Sequence, residues 1–328
     1  MRIPRRTFLK TAGAAAVAGP VLIDPARRIR AADTLTANRA AIDPASCAAD
    51  ALAADSGAPA ASAEPRLLAG CCAYSYRKYL EHGPMTMEDF IRKGVELGLN
   101  GVDLTVYYLK STDPAYLTSL RHLAFKNGMP FSGTGCGASM VQADKAKRAE
   151  VLEQIKHWVD ATDRLGASHL RIFAGRLPAG ATVDQGVAWS VEVMKPASDY
   201  AGARGITLGL EDHEGITERA ETALEILHRV DSPYAGINLD ISNFNAKSTE
   251  EQYAQIKACV PYATHSHVRD RFSNSQEPID LDRVWRLFAE GGYKGYMSAE
   301  YEGEEDASTG VPKLIARMKS LCRKYSSV

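Results

Sequence analysis

The sequence predicts an α/β protein: a single (β/α)8 TIM barrel preceded by a signal peptide and a disordered Ala-rich linker. Three observations predict it. From Arg66 onward, eight short apolar or β-branched runs alternate with longer amphipathic segments over about 260 residues, roughly the size of one such barrel. Glycines at 98, 128, 166 and 205 each precede a strand, where a helix ends at a C′ glycine. The first run continues into "YSYRKYL" without a G-x-G-x-x-G turn, which argues against an open, nucleotide-binding doubly wound sheet.

The elements follow in order. Residues 1–32 contain "PRRTFLKTAGAAAVAG", with Arg5 and Arg6 ahead of a short apolar run, the pattern of a twin-arginine export signal. That run is too short and alanine-rich to span a bilayer comfortably, although retention as an N-terminal anchor is open. An exported chain would be periplasmic or otherwise extracytoplasmic. Residues 33–65 are mostly Ala, Asp, Ser and Pro without periodicity and read as a low-complexity linker; an extra packed helix is the alternative. Residues 66–328 form the barrel. Its strands read as "LLAGCCAY", "GVDLTVYY", "PFSGTGC", "HLRIFAG", "ITLGLED", "AGINLDIS", "ATHSHVRD" and "GYMSAEYE", with helices such as "MEDFIRKGVELGL", "KRAEVLEQIKHWVDATDRLGA" and "TALEILHRV" between them.

Charge and cysteine usage narrow the function. Residues 1–32 carry seven basic residues and one acidic, so their removal leaves 32 basic against 39 acidic. A negative surface disfavours nucleic acid and acidic lipid as partners. The six cysteines contain no C-x-x-C spacing, so a zinc ribbon is unsupported and buried free thiols are the simpler reading.

Barrel chemistry sits where strands finish. The last four end in Glu211, Asp240, His267 and Glu300, spaced by 29, 27 and 33 residues, about one βα unit each. Adjacent strands lie about 4.8 Å apart, so side chains from consecutive strand ends can converge on one ion. Three carboxylates and an imidazole make an oxygen-rich site suited to one divalent metal ion: manganese first, with magnesium, cobalt or zinc open. Each residue alone reads equally as a loop carboxylate, a helix cap or a core histidine, and His265 fits the last description. The common station on four consecutive strands carries the metal reading.

"GLEDHEG", "INLDISNF", "HSHVRDR" and "YMSAEYEG" together resemble the xylose-isomerase-like TIM-barrel superfamily, in its sugar isomerase/epimerase branch related to D-tagatose 3-epimerase and inosose dehydratase. The resemblance covers roughly residues 66–325. It implies Glu211, Asp240, His267 and Glu300 as metal ligands, with Glu211 and Glu300 also the catalytic acid and base. It implies deprotonation of a keto-sugar to an enediolate, and a substrate-facing arginine after the histidine ligand, for which Arg269 and Arg271 stand. Asn243 occupies the position where epimerase relatives carry a second histidine; it can bind a sugar hydroxyl or cap a turn.

Three further sets of residues complete the candidate site. His213 shares the face of Glu211 if the strand continues and is solvated if it turns. Tyr74, Tyr76, Tyr107 and Tyr108 form either an aromatic wall for a sugar ring or rim packing. Arg171, within the fourth strand, can orient an inner carboxylate.

Export and the acidic "GEEDASTG" favour an unphosphorylated sugar or keto-glycoside over a sugar phosphate. The primary expectation is a metal-dependent isomerase or epimerase. The alternatives are an exported 3-keto-glycoside lyase working by β-elimination on the same site, and a non-catalytic sugar-binding barrel. An endonuclease IV-like trinuclear zinc site fits poorly, since the chain has only eight histidines. A homo-oligomer is compatible with this reading; the sequence does not choose a state.

Overall fold

The computed structural model describes residues 64–326; the signal segment, and the linker up to residue 63, lie outside the described residues. Eight strands close into one parallel barrel in chain order, with β8 returning to β1. They are β1 Arg66–Cys72, β2 Gly101–Thr105, β3 Phe131–Ser139, β4 His169–Phe173, β5 Thr207–Glu211, β6 Ala235–Asp240, β7 Ala263–Val268 and β8 Lys294–Ala299. The helices between and after them are α1 Arg77–His82, α2 Met87–Glu96, α3 Pro114–Lys126, α4 Lys145–Leu165, α5 Val183–Gly202, α6 Ala220–Val230, α7 Thr249–Cys259, α8 Leu281–Glu290 and α9 Ala307–Tyr325.

Local chemistry sets the helix ends. Thr86 and Thr182 form capping boxes with Asp89 and Gln185 at the starts of α2 and α5. Asp144, Ser248, Asp280 and Asp306 cap α4, α7, α8 and α9 with side-chain acceptors. The four glycines singled out by the sequence all have φ between 61 and 79°, the left-handed turn that ends a helix ahead of a strand.

Period-two alternation divides the strands into two faces. Leu208, Leu210, Ile237 and Leu239 are fully buried and belong to the hydrophobic core. The alternate positions of the same strands carry polar groups into the barrel. Asp103, His169, Arg171, Asn238, His265 and His267 are all 5% exposed or less. Such an interior departs from the branched aliphatic filling usual in these barrels and requires each polar atom to find a partner. Gly209 is part of the accommodation: a Cβ there would stand 2.3 Å from His169 Nε2.

All four tyrosines are placed by turns the strand reading missed. β1 stops at Cys72 and enters a 3-10 turn, Ala73–Tyr76. That turn buries Tyr76 in the core, its ring centroid 6.1 Å from that of Phe90, so Tyr76 forms no part of an exposed wall. β2 likewise ends at Thr105 in a turn spanning Val106–Tyr108.

Candidate metal centre

Glu211 is the last residue of β5 and Asp240 the last of β6; His267 is the penultimate residue of β7 and Glu300 follows β8. Glu300 is fixed after its strand has ended, because its N–H donates to the Val268 carbonyl at 2.9 Å. Each of the four offers a ligand atom, and these atoms lie within 4.8 Å of one another. His267 Nδ1 stands 3.6 Å from both Glu211 Oε2 and Glu300 Oε1. All four residues are at most 4% exposed. Three carboxylates buried so closely demand compensating positive charge.

Two arginines supply part of it. Arg171 Nε lies 2.9 Å from Glu211 Oε2, and its Nη1 donates to the Cys136 carbonyl at 3.0 Å. Its guanidinium carbon also sits 4.1 Å from the Phe173 ring centroid. Arg269 Nη2 lies 2.8 Å from Glu300 Oε2 and 3.1 Å from Asp240 Oδ2, while its Nη1 reaches Glu302 Oε1 at 3.2 Å. Arg269 also borders a cavity of about 710 Å³ whose walls include Asp270, Arg271, Tyr301, Glu302 and Arg317.

The donor set fits a divalent ion. Asp240 Oδ1 accepts from the Ser242 N–H at 2.9 Å and the Ser242 hydroxyl at 2.7 Å, whereas its buried Oδ2 meets the Arg269 guanidinium at 3.1 Å but takes no hydrogen bond among the described residues. Asp103, on β2, adds a fourth buried carboxylate beside the imidazole, 3.7 Å from His267 Nε2. Against these four carboxylates stand the two guanidiniums, Arg171 and Arg269. One dication balances the difference.

The protein's own groups already pull the two glutamates apart. Burial raises the Glu211 carboxyl above its ordinary range, and Arg171 and His267 offset only part of that. Burial acts the same way on Glu300, but His267 and Arg269 overcome it and hold the carboxyl near 2. Burial lifts Asp240 to about 6 against the pull of Arg269. Burial would lower His267, yet the charge of Glu300, with Cys72 and Asp103, drives it well above the usual imidazole value.

The remaining charge of "GLEDHEG" has separate work. Asp212 is fully buried and its Oδ1 accepts the Asp240 N–H at 2.8 Å, tying the ends of β5 and β6 together. Glu214 pairs with Arg176 at the surface. His213 is half-buried with its ring 4.6 Å from that of Phe173, so it neither joins the ligand set nor lies free in solvent.

The other sequence candidates are dispersed. Asn243 is half-buried, accepts from the Ser273 hydroxyl at 2.9 Å, and has a buried Nδ2 without a partner. Tyr107 is 50% exposed at the rim, with its hydroxyl 3.4 Å from Arg171 Nη1. Tyr74 is half-buried, with the Arg77 guanidinium carbon 4.6 Å from its ring centroid. Arg271 is exposed, donates to the Gln276 carbonyl at 2.8 Å, and is not brought to the four ligands. His265 is a core histidine, stacked 5.0 Å from His169 and bonded to Ser132 Oγ at 3.2 Å.

Sequence reading missed Asp103, Asn238, Ser298 and Cys72. Asn238 Nδ2 donates to Glu211 Oε2 at 3.1 Å and lies 3.4 Å from His267 Nδ1. Ser298 Oγ donates to Asp103 at 2.5 Å. Cys72 Sγ lies 3.9 Å from Glu300 Oε1, its thiol pushed up to about 12 by burial.

Residues 91–321 match the family described as the xylose isomerase-like TIM barrel. The chain belongs to that family. Among solved structures of similar shape, the IolI protein with a bound zinc atom aligns over 80% of this chain and all of its own, at 18% identity and a TM-score of 0.65. The 3-keto-D-glucoside 4-epimerase YcjR from E. coli aligns over 78% of this chain and 100% of its own, at 14% identity and a TM-score of 0.63. At such identities the likeness is one of fold. A 71-residue segment is 37% identical to the C-glycoside deglycosidase alpha subunit of Arthrobacter globiformis; it spans one fifth of each chain, 20% of this one and 20% of that relative.

Proposed function

We propose that this xylose isomerase-like barrel is a divalent-metal-dependent enzyme that isomerises or epimerises an unphosphorylated keto-sugar by moving a proton at carbon. The observation that carries it is the convergence of Glu211 and Glu300, from different strands, on His267 Nδ1, each 3.6 Å away and each paired with its own arginine. Two carboxylates reaching one point from different strands can share the work, one taking a C–H proton and the other returning one. Asp240 and His267 complete the ligand set. A divalent ion, with manganese our first choice, would supply Lewis-acid polarisation of the carbonyl and charge for the developing oxyanion. Arg171 and Arg269 orient the glutamates; Arg269, with His267, keeps Glu300 ionised, while Arg171 offsets part of the burial of Glu211. Asn243, His213, Tyr74 and Tyr107 are the groups we assign to sugar contacts around the centre, and Arg269 and Arg271 those on the cavity side. Export through the twin-arginine signal at residues 1–32 is part of the same proposal and fits an extracytoplasmic, unphosphorylated substrate.

The segment shared with the C-glycoside deglycosidase subunit favours a second reading. A 3-keto-glycoside deprotonated at C2 expels its C1 substituent, so the same acid and base would release an aglycone. The test is proton exchange in D2O by the Mn²⁺-loaded chain on ketohexoses and 3-keto-glucosides, with Glu300→Gln as control. Metal-dependent exchange lost in the variant supports the proposal, and aglycone release selects the lyase. Metal binding without exchange on any of these substrates would leave a sugar-binding barrel.

A further inference from the structure

Asp103 meets His267 on the edge of the imidazole away from the glutamates. Its carboxylate is 4% exposed. One oxygen, Oδ2, is held by the Ser298 hydroxyl at 2.5 Å, and the other, Oδ1, lies 3.7 Å from His267 Nε2. On the opposite edge of the ring, Nδ1 faces Glu211 Oε2 and Glu300 Oε1, each 3.6 Å away. Asn238 Nδ2, a donor only, stands 3.4 Å from that same Nδ1. A neutral imidazole carries one N–H and one lone pair. Glu211 and Glu300, which face Nδ1, are ligands of the same candidate ion, so with that ion in place the lone pair belongs on Nδ1, beside the Asn238 donor, and the Asp103 carboxylate on the other edge favours the proton on Nε2.

We infer that Asp103 is a positioning residue that fixes His267 as its Nε2–H tautomer and so presents Nδ1 to the metal centre. This rests on the metal reading above and extends it from the four ligands to the group behind them. Carboxylates bonded to the far nitrogen of a ligating histidine set its tautomer and ring orientation, and their loss commonly weakens metal binding about 10–100-fold. Ser298 sits two residues before Glu300, so one strand supplies both a ligand and the hydroxyl that steers Asp103.

A competing arrangement exists in the same space. Cys72, Asp103 and His267 also offer ligand atoms within 4.8 Å of one another, which would make Asp103 a ligand in a thiolate site. Charge decides against it. The four buried carboxylates and two arginines are balanced by one dication at Glu211, Asp240, His267 and Glu300, whereas a second ion, even with the Cys72 proton lost, leaves the cluster positive.

The experiment uses the full chain. Zn²⁺ affinity is measured by isothermal titration for wild type, Asp103→Asn and Asp103→Ala, with circular dichroism confirming that each variant is folded. The expected result is a loss of about 10–100-fold for Asp103→Ala, partly rescued in Asp103→Asn, whose amide oxygen remains an acceptor facing the Nε2–H. In the Zn²⁺-loaded wild type, long-range ¹⁵N–¹H spectra should show His267 protonated on Nε2, with that proton shifted downfield, and Asp103→Asn should move it upfield. In the Co²⁺-loaded chain no sulfur-to-cobalt charge-transfer band should appear, and Cys72→Ser should leave the spectrum unchanged.

Unaltered affinity in both Asp103 variants, or Nδ1 protonation of His267, overturns the assignment while leaving the metal centre standing. A charge-transfer band abolished by Cys72→Ser also overturns it, by making Asp103 a ligand. Failure of the wild type to bind either ion overturns the metal reading and this assignment with it.

Discussion

Arg171 Nε lies 2.9 Å from Glu211 Oε2, and both side chains are almost wholly buried inside the barrel. An ion pair so enclosed adds little net stability as a pair, yet removing one partner strands the other charge without water. Arg171→Met should therefore destabilise the metal-free protein by about 3–5 kcal/mol. Arg171→Lys should cost less, since it keeps the charge while losing the bond to the Cys136 carbonyl. Urea unfolding of the three proteins in a chelator measures this. Equal midpoints for wild type and Arg171→Met would show that Glu211 is not ionised in the folded chain.

A second prediction concerns metal-linked stability. If Glu211, Asp240, His267 and Glu300 hold a divalent ion in the native chain only, saturation with that ion at 100 times its Kd should stabilise the fold by about 2.7 kcal/mol. Asp240 Oδ2, the buried oxygen that faces Arg269 but takes no hydrogen bond among the described residues, is the atom to remove. Asp240→Asn should abolish most of the Mn²⁺-dependent rise in Tm while retaining the acceptor that holds the Ser242 N–H. A variant that still responds to Mn²⁺ as wild type does would place the ion elsewhere.

Much of this architecture was legible in the chain because strand ends recur at one station. The spacing of Glu211, Asp240, His267 and Glu300 follows the βα unit, and each is flanked by an apolar run that marks its strand. Asn238, His265 and Ser298 lie two residues before Asp240, His267 and Glu300, so period two already put them on the ligands' face, one layer deeper. Of these only the histidine carries a signal, since a lone Asn or Ser in an apolar run carries no chemistry by itself. Asp103 is obscured differently. It sits mid-strand in "GVDLTVYY", ahead of two tyrosines. Its relation to His267 depends on barrel closure, which places residues 164 positions apart in sequence within one cluster. Between a sugar wall and packing, the structure gives Tyr76 packing, for a local reason: nothing in "CCAYSY" announces that the strand gives way to a 3-10 turn at Ala73.

The buried histidines predict an acid limb in stability. Burial, with His267 nearby, lowers His265 to about 4 against an ordinary value of 6.5, and burial depresses its stacking partner His169 well below that value too. The unfolded chain then binds protons that the folded chain refuses, so stability is complete above pH 6.5 and falls as pH drops toward 4. For His265 alone the full loss is on the order of 3 kcal/mol. His265→Asn should flatten that part of the pH–stability curve measured by urea midpoints. An unchanged slope between pH 6.5 and 4 would mean that other groups control it.

Asp212 should show the opposite sign. It is fully buried, and burial followed by the neighbouring Asp240 charge raises its carboxyl well above 3.8. The folded chain therefore holds a proton that the unfolded chain releases, and the contribution to stability is complete below pH 3.8 and declines as pH rises toward the folded value. Asp212→Asn removes the titration while keeping an oxygen for the Asp240 N–H, which Asp212 Oδ1 accepts at 2.8 Å. The second position changes little: Oδ2 has no hydrogen-bond partner among the described residues, so the amide NH2, with two N–H donors, replaces one unpartnered O–H. The variant should match wild type near pH 4 and exceed it increasingly toward pH 8, with metal affinity kept because the clamp between β5 and β6 is intact. Asp212→Ala should lose stability at every pH and weaken metal binding. A difference between Asp212→Asn and wild type that does not grow with pH would show that Asp212 titrates as an ordinary carboxyl, and that the clamp is made by a charged group rather than a neutral acid.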